Sequence, residues 1–296
     1  MRDRNKQSNI LGVYVDSYSL QEVLEIIYSK LPKSSYVNSS NPLKPLETSP
    51  QISVLPIYTI NPELIVIANE ANWFKSILNN AFLAIPDGVG ILFASLLTKK
   101  HIKNRVTGVR LVIELTKLAF EHNFSVGFLG GKEDSAKKAV DFFKKQYPNL
   151  SCWSDPGPKI SLNSPNSLNS PNSPKTLPKH IFIDQNDYDL KNLLHQIAST
   201  DILFVGFGAP KQEAFIEWLK SNQLSVISNQ KTENRNLIAV GVGGSFDEIA
   251  GVTSQPPKII EAVGLKWLFR LSAEPWRWRR QLRLVKFIQL VAFNNS

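Results

Sequence analysis

A single cysteine, Cys152, among 296 residues excludes an intramolecular disulfide and a zinc site built from cysteines. The four histidines are scattered and offer no ligand cluster. Such sparing cysteine use fits a reducing, cytoplasmic setting. No stretch reaches the about 18 consecutive apolar residues that suggest a spanning helix. The N-terminal MRDRNKQSNILGVYVD carries charge but no apolar run of signal-peptide length, so the expectation is a soluble or peripheral protein. No G-x-G-x-x-G followed by a distant acid appears, and Gly131-Lys132 precedes Glu133 rather than the Ser or Thr of a P-loop. There is also no Ser-His-Asp pattern of a nucleophilic hydrolase. The one Asp-x-Asp, Asp187-Tyr188-Asp189, stands before a helical pattern, where acids favour the positive helix end, and is read as a cap rather than a metal site.

What is present is an alternation. Short apolar runs (NILGVYV, SVLPIYTI, FLAI, SVGFLGG, DILFVGFG, LIAVGVGG) give way to segments of helical period such as LQEVLEIIYSKL, EDSAKKAVDFFKKQY and KQEAFIEWLKSN. Near-continuous apolar strands separated by helices predict an α/β fold: a Rossmann-like, mostly parallel sheet with helices on both faces. Three polar stretches, at about 32–51, 154–178 (with its Asn-Ser-Pro repeat) and 228–236, read as disordered insertions. The main domain is expected over 1–255, with a basic helical appendage over 256–296.

The net charge of +9 is unevenly placed. Lys258, Lys266, Arg270, Arg277, Arg279, Arg280, Arg283 and Lys286 face only Glu261 and Glu274 in the last forty residues, interleaved with Trp267, Trp276 and Trp278. Clustered cations suit a phosphorylated substrate, anionic lipid or nucleic acid. Indole rings suit an apolar–aqueous boundary.

In an open parallel sheet, ligands bind beyond the carboxyl ends of the strands. Three glycine turns fall there, carrying Gly130 and Gly131, Gly208, and Gly243, and each suits an anion near a helix start. Thr59 and Asn61 end a strand before Pro62, as helix caps or as site residues. Asp87, alone among apolar neighbours in AIPDGVG, is open to two readings. It caps the helix 88–97, or it is a carboxylate held partly out of water, a setting that suits a general base. Arg105 offers it a counter-charge, and Gln212 sits in a first helical turn.

Taken together, TINPE, AIPDGVG, NRVTG, VGFLGG, DILFVGFGAPKQE, AVGVGGSFDEIAG and LKWLFRLSAEPWRWRRQLRL resemble, in order and spacing, the WecG/TagA/CpsF glycosyltransferase family. The likeness runs from about residue 8 to about residue 290, apart from the insertions. It implies an inverting transfer of N-acetylmannosamine, or a related hexose or uronate, from a UDP-sugar to a polyprenyl-diphosphate-linked sugar. It further implies cell-surface polysaccharide synthesis on the inner membrane face, with neither metal nor cofactor. By resemblance Asp87 is the general base, and Thr59, Asn61, Arg105 and Gln212 belong to the site. Arg270, Arg277 and Arg280 map to the arginines that hold the donor diphosphate. Two departures stand out: Arg110 where relatives carry an acid, and the Asn-Ser-Pro insertion in place of a Gly/Tyr-containing turn. A patch normally covered by the appendage suits self-association, and a homo-oligomer is the matching expectation. Two other readings remain, a nicotinamide-dependent oxidoreductase on the same sheet and a nucleic-acid-binding protein using the basic tail. The resemblance implies no nucleic-acid partner.

Overall fold

The computed structural model describes residues 3–32, 52–98, 101–162, 181–183, 189–221, 235–251, 269 and 278–293. A hairpin of β1 (Gln7–Ile10) and β2 (Val13–Asp16) precedes α1 (Leu20–Tyr28). Strand β3 (Ile52–Ile60) leads into α2 (Pro62–Glu70) and α3 (Asn72–Asn79), and β4 (Leu83–Pro86) into α4 (Val89–Ser95) and α5 (Gly108–His122). Next come β5 (Val126–Gly130), α6 (Ser135–Gln146), β6 (Cys152–Asp155) and the antiparallel pair β7 (Ile160–Leu162) and β8 (Ile181–Ile183). The rest is α7 (Leu190–Ala198), β9 (Ile202–Gly206), α8 (Lys211–Ser221), β10 (Arg235–Gly241), α9 (Ser245–Ile249) and α10 (Trp278–Phe293).

Six strands form one sheet in the order β4-β3-β10-β9-β5-β6, with every neighbouring pair parallel. The α/β sheet with helices on both faces is therefore as the sequence predicts. Its apolar runs are continuous because both faces are covered. Side chains alternate between two cores: Leu203, Val205, Leu237 and Ala239 pack on one face, and Ile202, Phe204, Ile238 and Val240 on the other. On the second face Phe128 centres an aromatic cluster, with ring centroids 5.6 Å from Phe143, 5.4 Å from Phe204 and 5.6 Å from Phe246.

The run NILGVYV, read as one strand, is two. Leu11 (φ 51°) and Gly12 (φ 85°) both take left-handed backbone, and the chain reverses there into a two-residue hairpin turn. Buried Asp16 then ties the hairpin to the sheet, accepting from the Ala84 amide at 2.7 Å and Gln7 Nε2 at 2.9 Å. Two insertion boundaries also move. Residues 152–155 and 160–162 are strands and β10 already starts at Arg235, while 33–51, 163–178 and 228–234 of the three stretches lie outside the described residues.

At the opposite end of the chain, α10 lies against α2. Phe287 and Val291 are buried there, and Arg283 Nη1 donates to Glu63 Oε1 at 2.6 Å. Lys286 Nζ meets Glu70 Oε1 at 2.5 Å. Among the described residues no helix is long and apolar enough to cross a membrane.

Candidate active site

Because all six strands are parallel, their carboxyl ends share one edge, and a cleft of about 350 Å³ opens there. It falls within the size range of small-ligand sites. The ends of β3, β4 and β10 deliver Thr59 and Asn61, Asp87, and Val242 to Ser245, while the turn after β9 delivers Gly208 and the start of α8 delivers Gln212. Five of the residues singled out in the sequence, Thr59, Asn61, Asp87, Arg105 and Gln212, line this one cleft.

Each is held locally. The Thr59 hydroxyl is buried and donates to the Gly241 carbonyl at 3.0 Å, stitching the ends of β3 and β10 together. Asn61 is the N-cap of α2, its Oδ1 accepting from the Leu64 amide at 3.1 Å, and Pro62 opens that helix. Asp87 is half-buried and does not cap α4. Gly88 occupies the cap position at φ 92°, ψ 142°, with no side-chain cap bond. That backbone shape favours glycine, and it turns the chain so that Asp87 Oδ2 faces the Gly108 amide of α5 at 3.4 Å. The cap position expected for Asp87 is therefore taken by Gly88, and the contact of the Asp87 carboxylate described here is with the amino end of α5.

Gln212 joins two glycine turns. Its Oε1 accepts from the Gly208 amide at 3.2 Å and from the Gly243 amide at 2.9 Å, 31 residues further on. Its Nε2 donates to Glu213 Oε1 at 2.8 Å. Glu213 is fully buried, and burial pushes its carboxyl up to about 7, the bond from Gln212 working the other way. Its Oε2 has no partner among the described residues. Sequence reading passed Glu213 over, since one acid in an amphipathic helix looks like any solvated one.

Beside the first cleft, and sharing Gly208, Gly243 and Gly244 with it, lies a second of about 300 Å³. Lys132, Lys159 and Lys211 line it against a single acid, buried Asp247, whose Oδ1 faces the Lys132 amide at 3.5 Å. The first cleft has the opposite balance, with Glu63, Asp87 and Glu248 against Arg105. One cavity is therefore suited to anions and the other to proton removal.

Gly131 lines the second cavity with φ 92°, and a β-carbon there would strike Ser135 Oγ. Gly130 lines neither cavity; the Phe207 ring would sit 2.7 Å from its β-carbon, so close packing accounts for that glycine. Arg110 is exposed in the first turn of α5 and does not line the cleft. Arg270 and Arg277 lie outside the described residues, as do the side chain of Arg280 and the rings of Trp267, Trp276 and Trp278. Asp189 caps α7 by accepting from the Asn192 amide at 3.0 Å, while Asp187 lies outside the described residues. Leu284 of α10, far away in sequence, completes the rim.

The profile of the glycosyl transferase WecG/TagA/CpsF family matches residues 8–295. The chain belongs to that family. Among its relatives is the N-acetylglucosaminyldiphosphoundecaprenol N-acetyl-beta-D-mannosaminyltransferase of Bacillus subtilis (strain 168), 26% identical over 231 residues, which cover 78% of this chain and 76% of that protein. The protein of the same name from Staphylococcus aureus (strain NCTC 8325 / PS 47) is 25% identical over 283 residues, covering 96% and 90% of the two chains. The family's glycosyltransferase character and its Rossmann-like sheet are thus those expected from the seven sequence blocks.

Proposed function

We propose that the protein transfers N-acetylmannosamine, or a closely related sugar, from a UDP-sugar to a polyprenyl-diphosphate-linked sugar, with inversion and without a metal. The observation that carries this reading is the convergence of Asp87, Thr59, Asn61, Arg105 and Gln212 on one cleft that adjoins a lysine-lined cavity. The two relatives' names supply the acceptor class, a lipid diphosphate carrying N-acetylglucosamine. That match favours glycosyl transfer over the oxidoreductase and nucleic-acid readings.

In this mechanism the nucleoside diphosphate lies toward Lys132, Lys159 and Lys211, and the sugar crosses the shared Gly208–Gly243 boundary into the first cleft. The acceptor hydroxyl approaches Asp87. The carboxylate takes the hydroxyl proton as the oxygen bonds to the anomeric carbon from the face opposite the diphosphate. The carbon–oxygen bond to the diphosphate breaks, its electron pair leaving with UDP, and the anomeric configuration inverts. Negative charge grows on the leaving phosphate, where cations and backbone amides stabilise it. Arg105 and the lysines supply that charge from the sheet edge. Arg270, Arg277 and Arg280 extend the same role to the appendage. Arginines interleaved with tryptophans also suit docking on an anionic membrane surface on the cytoplasmic side.

UDP release from UDP-N-acetylmannosamine, with a polyprenyl-diphosphate N-acetylglucosamine acceptor, tests the reading. Asp87→Asn is expected to cost at least a hundredfold in turnover, about 2.7 kcal/mol of transition-state stabilisation. A loss below tenfold removes Asp87 as the base. Undiminished turnover in excess EDTA is the expected outcome for a metal-independent enzyme, and abolition by EDTA overturns that part of the proposal.

A further inference from the structure

Large apolar side chains in contact with water gather on two neighbouring helices. Of the twelve exposed among the described residues, Phe93, Leu96 and Leu97 lie on or just after α4, and Leu282, Val285, Ile288 and Phe293 on α10. Phe93 is 68% exposed, Leu96 58% and Leu97 55%. The two helices abut, since a β-carbon on Gly90 would lie 3.7 Å from Phe287 Cε1 and 3.9 Å from Leu284 Cδ1. A concentration of this kind marks an interaction surface. In sequence, the stretch from Gly88 to Ile113 around α4 holds no Asp or Glu, against Lys99, Lys100, Lys103, Arg105 and Arg110, of which Lys99 and Lys100 lie outside the described residues and Arg105 lines the cleft. Among these, Lys103 and Arg110 are exposed.

We infer that the exposed face of α4, continued by Lys103, is a membrane-docking surface that inserts Phe93, Leu96 and Leu97 at the interface of an anionic bilayer. Apolar side chains entering the acyl boundary, with cations at the headgroups, are what such an interface binds. A soluble protein partner would bring its own charge pattern, and the acid-free stretch favours a surface that is uniformly negative. The position serves the chemistry. Asp87 stands two residues before α4, and Phe93 is the fifth residue of that helix, about 6 Å along its axis from Val89 at 1.5 Å per residue. A lipid-linked acceptor can then present its sugar at Asp87 while its tail stays in the bilayer. The meaning of the surface rests on the proposed acceptor, but its detection does not.

The test is co-sedimentation of the full chain with vesicles of phosphatidylglycerol and phosphatidylcholine, and with vesicles of phosphatidylcholine alone. The double variant Phe93→Ser/Leu97→Ser is expected to lose at least tenfold in partitioning, with its thermal unfolding midpoint unchanged because both side chains already face water. Lys103→Glu is expected to weaken binding to the anionic vesicles and to leave binding to neutral ones alone. Unaltered partitioning of the double variant overturns the inference. So does a variant that shifts the oligomeric state in the absence of vesicles while vesicle binding is kept, which makes the face a contact between copies of this chain. Vesicle binding lost in the variant, in a wild-type protein that transfers no sugar to any acceptor, leaves the docking surface standing and removes the proposed reaction instead.

Discussion

Replacing Glu213 by Gln tests the buried contact behind the active site. The carboxyl is raised from its ordinary 4.5 to about 7 because burial penalises its charge. The folded protein therefore holds this proton over a range where the unfolded chain has released it, and stability must fall as pH rises. The contribution is complete below pH 4.5, declines from there to about 7, and is gone above. At about 1.4 kcal/mol per unit, the whole span amounts to roughly 3 kcal/mol. Between pH 5 and pH 8 the expected change is roughly 2 to 3 kcal/mol, because part of the fall lies below pH 5. Glutamine keeps an acceptor for Gln212 Nε2 and has no proton to lose. Urea unfolding of both proteins at pH 5 and pH 8 isolates the effect, since every other titrating group cancels in the difference. The stability of Glu213→Gln relative to wild type should rise by roughly 2 to 3 kcal/mol from pH 5 to pH 8. A difference that is the same at both pH values refutes the assignment of a buried, proton-holding carboxyl.

Two further perturbations address the scaffold of the site. Gln212→Ala leaves the Gly208 and Gly243 amides and Glu213 without their common partner, so we expect about 1 to 3 kcal/mol of lost stability and at least tenfold weaker UDP binding by calorimetry; UDP affinity equal to wild type would show that the bridge does not shape the donor cavity. Phe287→Ala empties a buried site between α10 and α2, at a cost of about 3 to 5 kcal/mol if the helix stays docked. Undocking is the cheaper response, so trypsin is expected to cleave after Arg283 or Lys286 at least tenfold faster, and an unchanged cleavage rate would place the anchoring of α10 elsewhere.

Much of this architecture was legible in the sequence because a sheet covered on both faces needs apolar side chains at every position. SVGFLGG, DILFVGFG and LIAVGVGG have no other stable use. The hairpin was hidden for a related reason. Leu11 and Gly12 turn within an apolar run, where no polar residue marks the reversal. At the cleft, residue types announced themselves, and Thr59, Asn61, Asp87, Arg105 and Gln212 all arrive there. What each side chain bonds was not legible, since it depends on long-range proximity. Gln212 meets Gly243 only because β9 and β10 are neighbours, and Leu284 reaches the rim only because α10 returns to α2. Nor was the place of Asp87 legible, since it depends on the Gly88 backbone, whose positive φ takes the cap position of α4 and leaves the acid facing α5.

The parallel sheet also divides the protein's tolerance for change. The links from α1 to β3 and from α8 to β10 both enter strands at their amino ends, the edge opposite the cleft. These links contain two of the three polar stretches that interrupt the apolar rhythm. Because β3 and β10 are entered at the edge away from the cleft, added length, a tag or a fused protein placed in these links joins the sheet on the side opposite the chemistry.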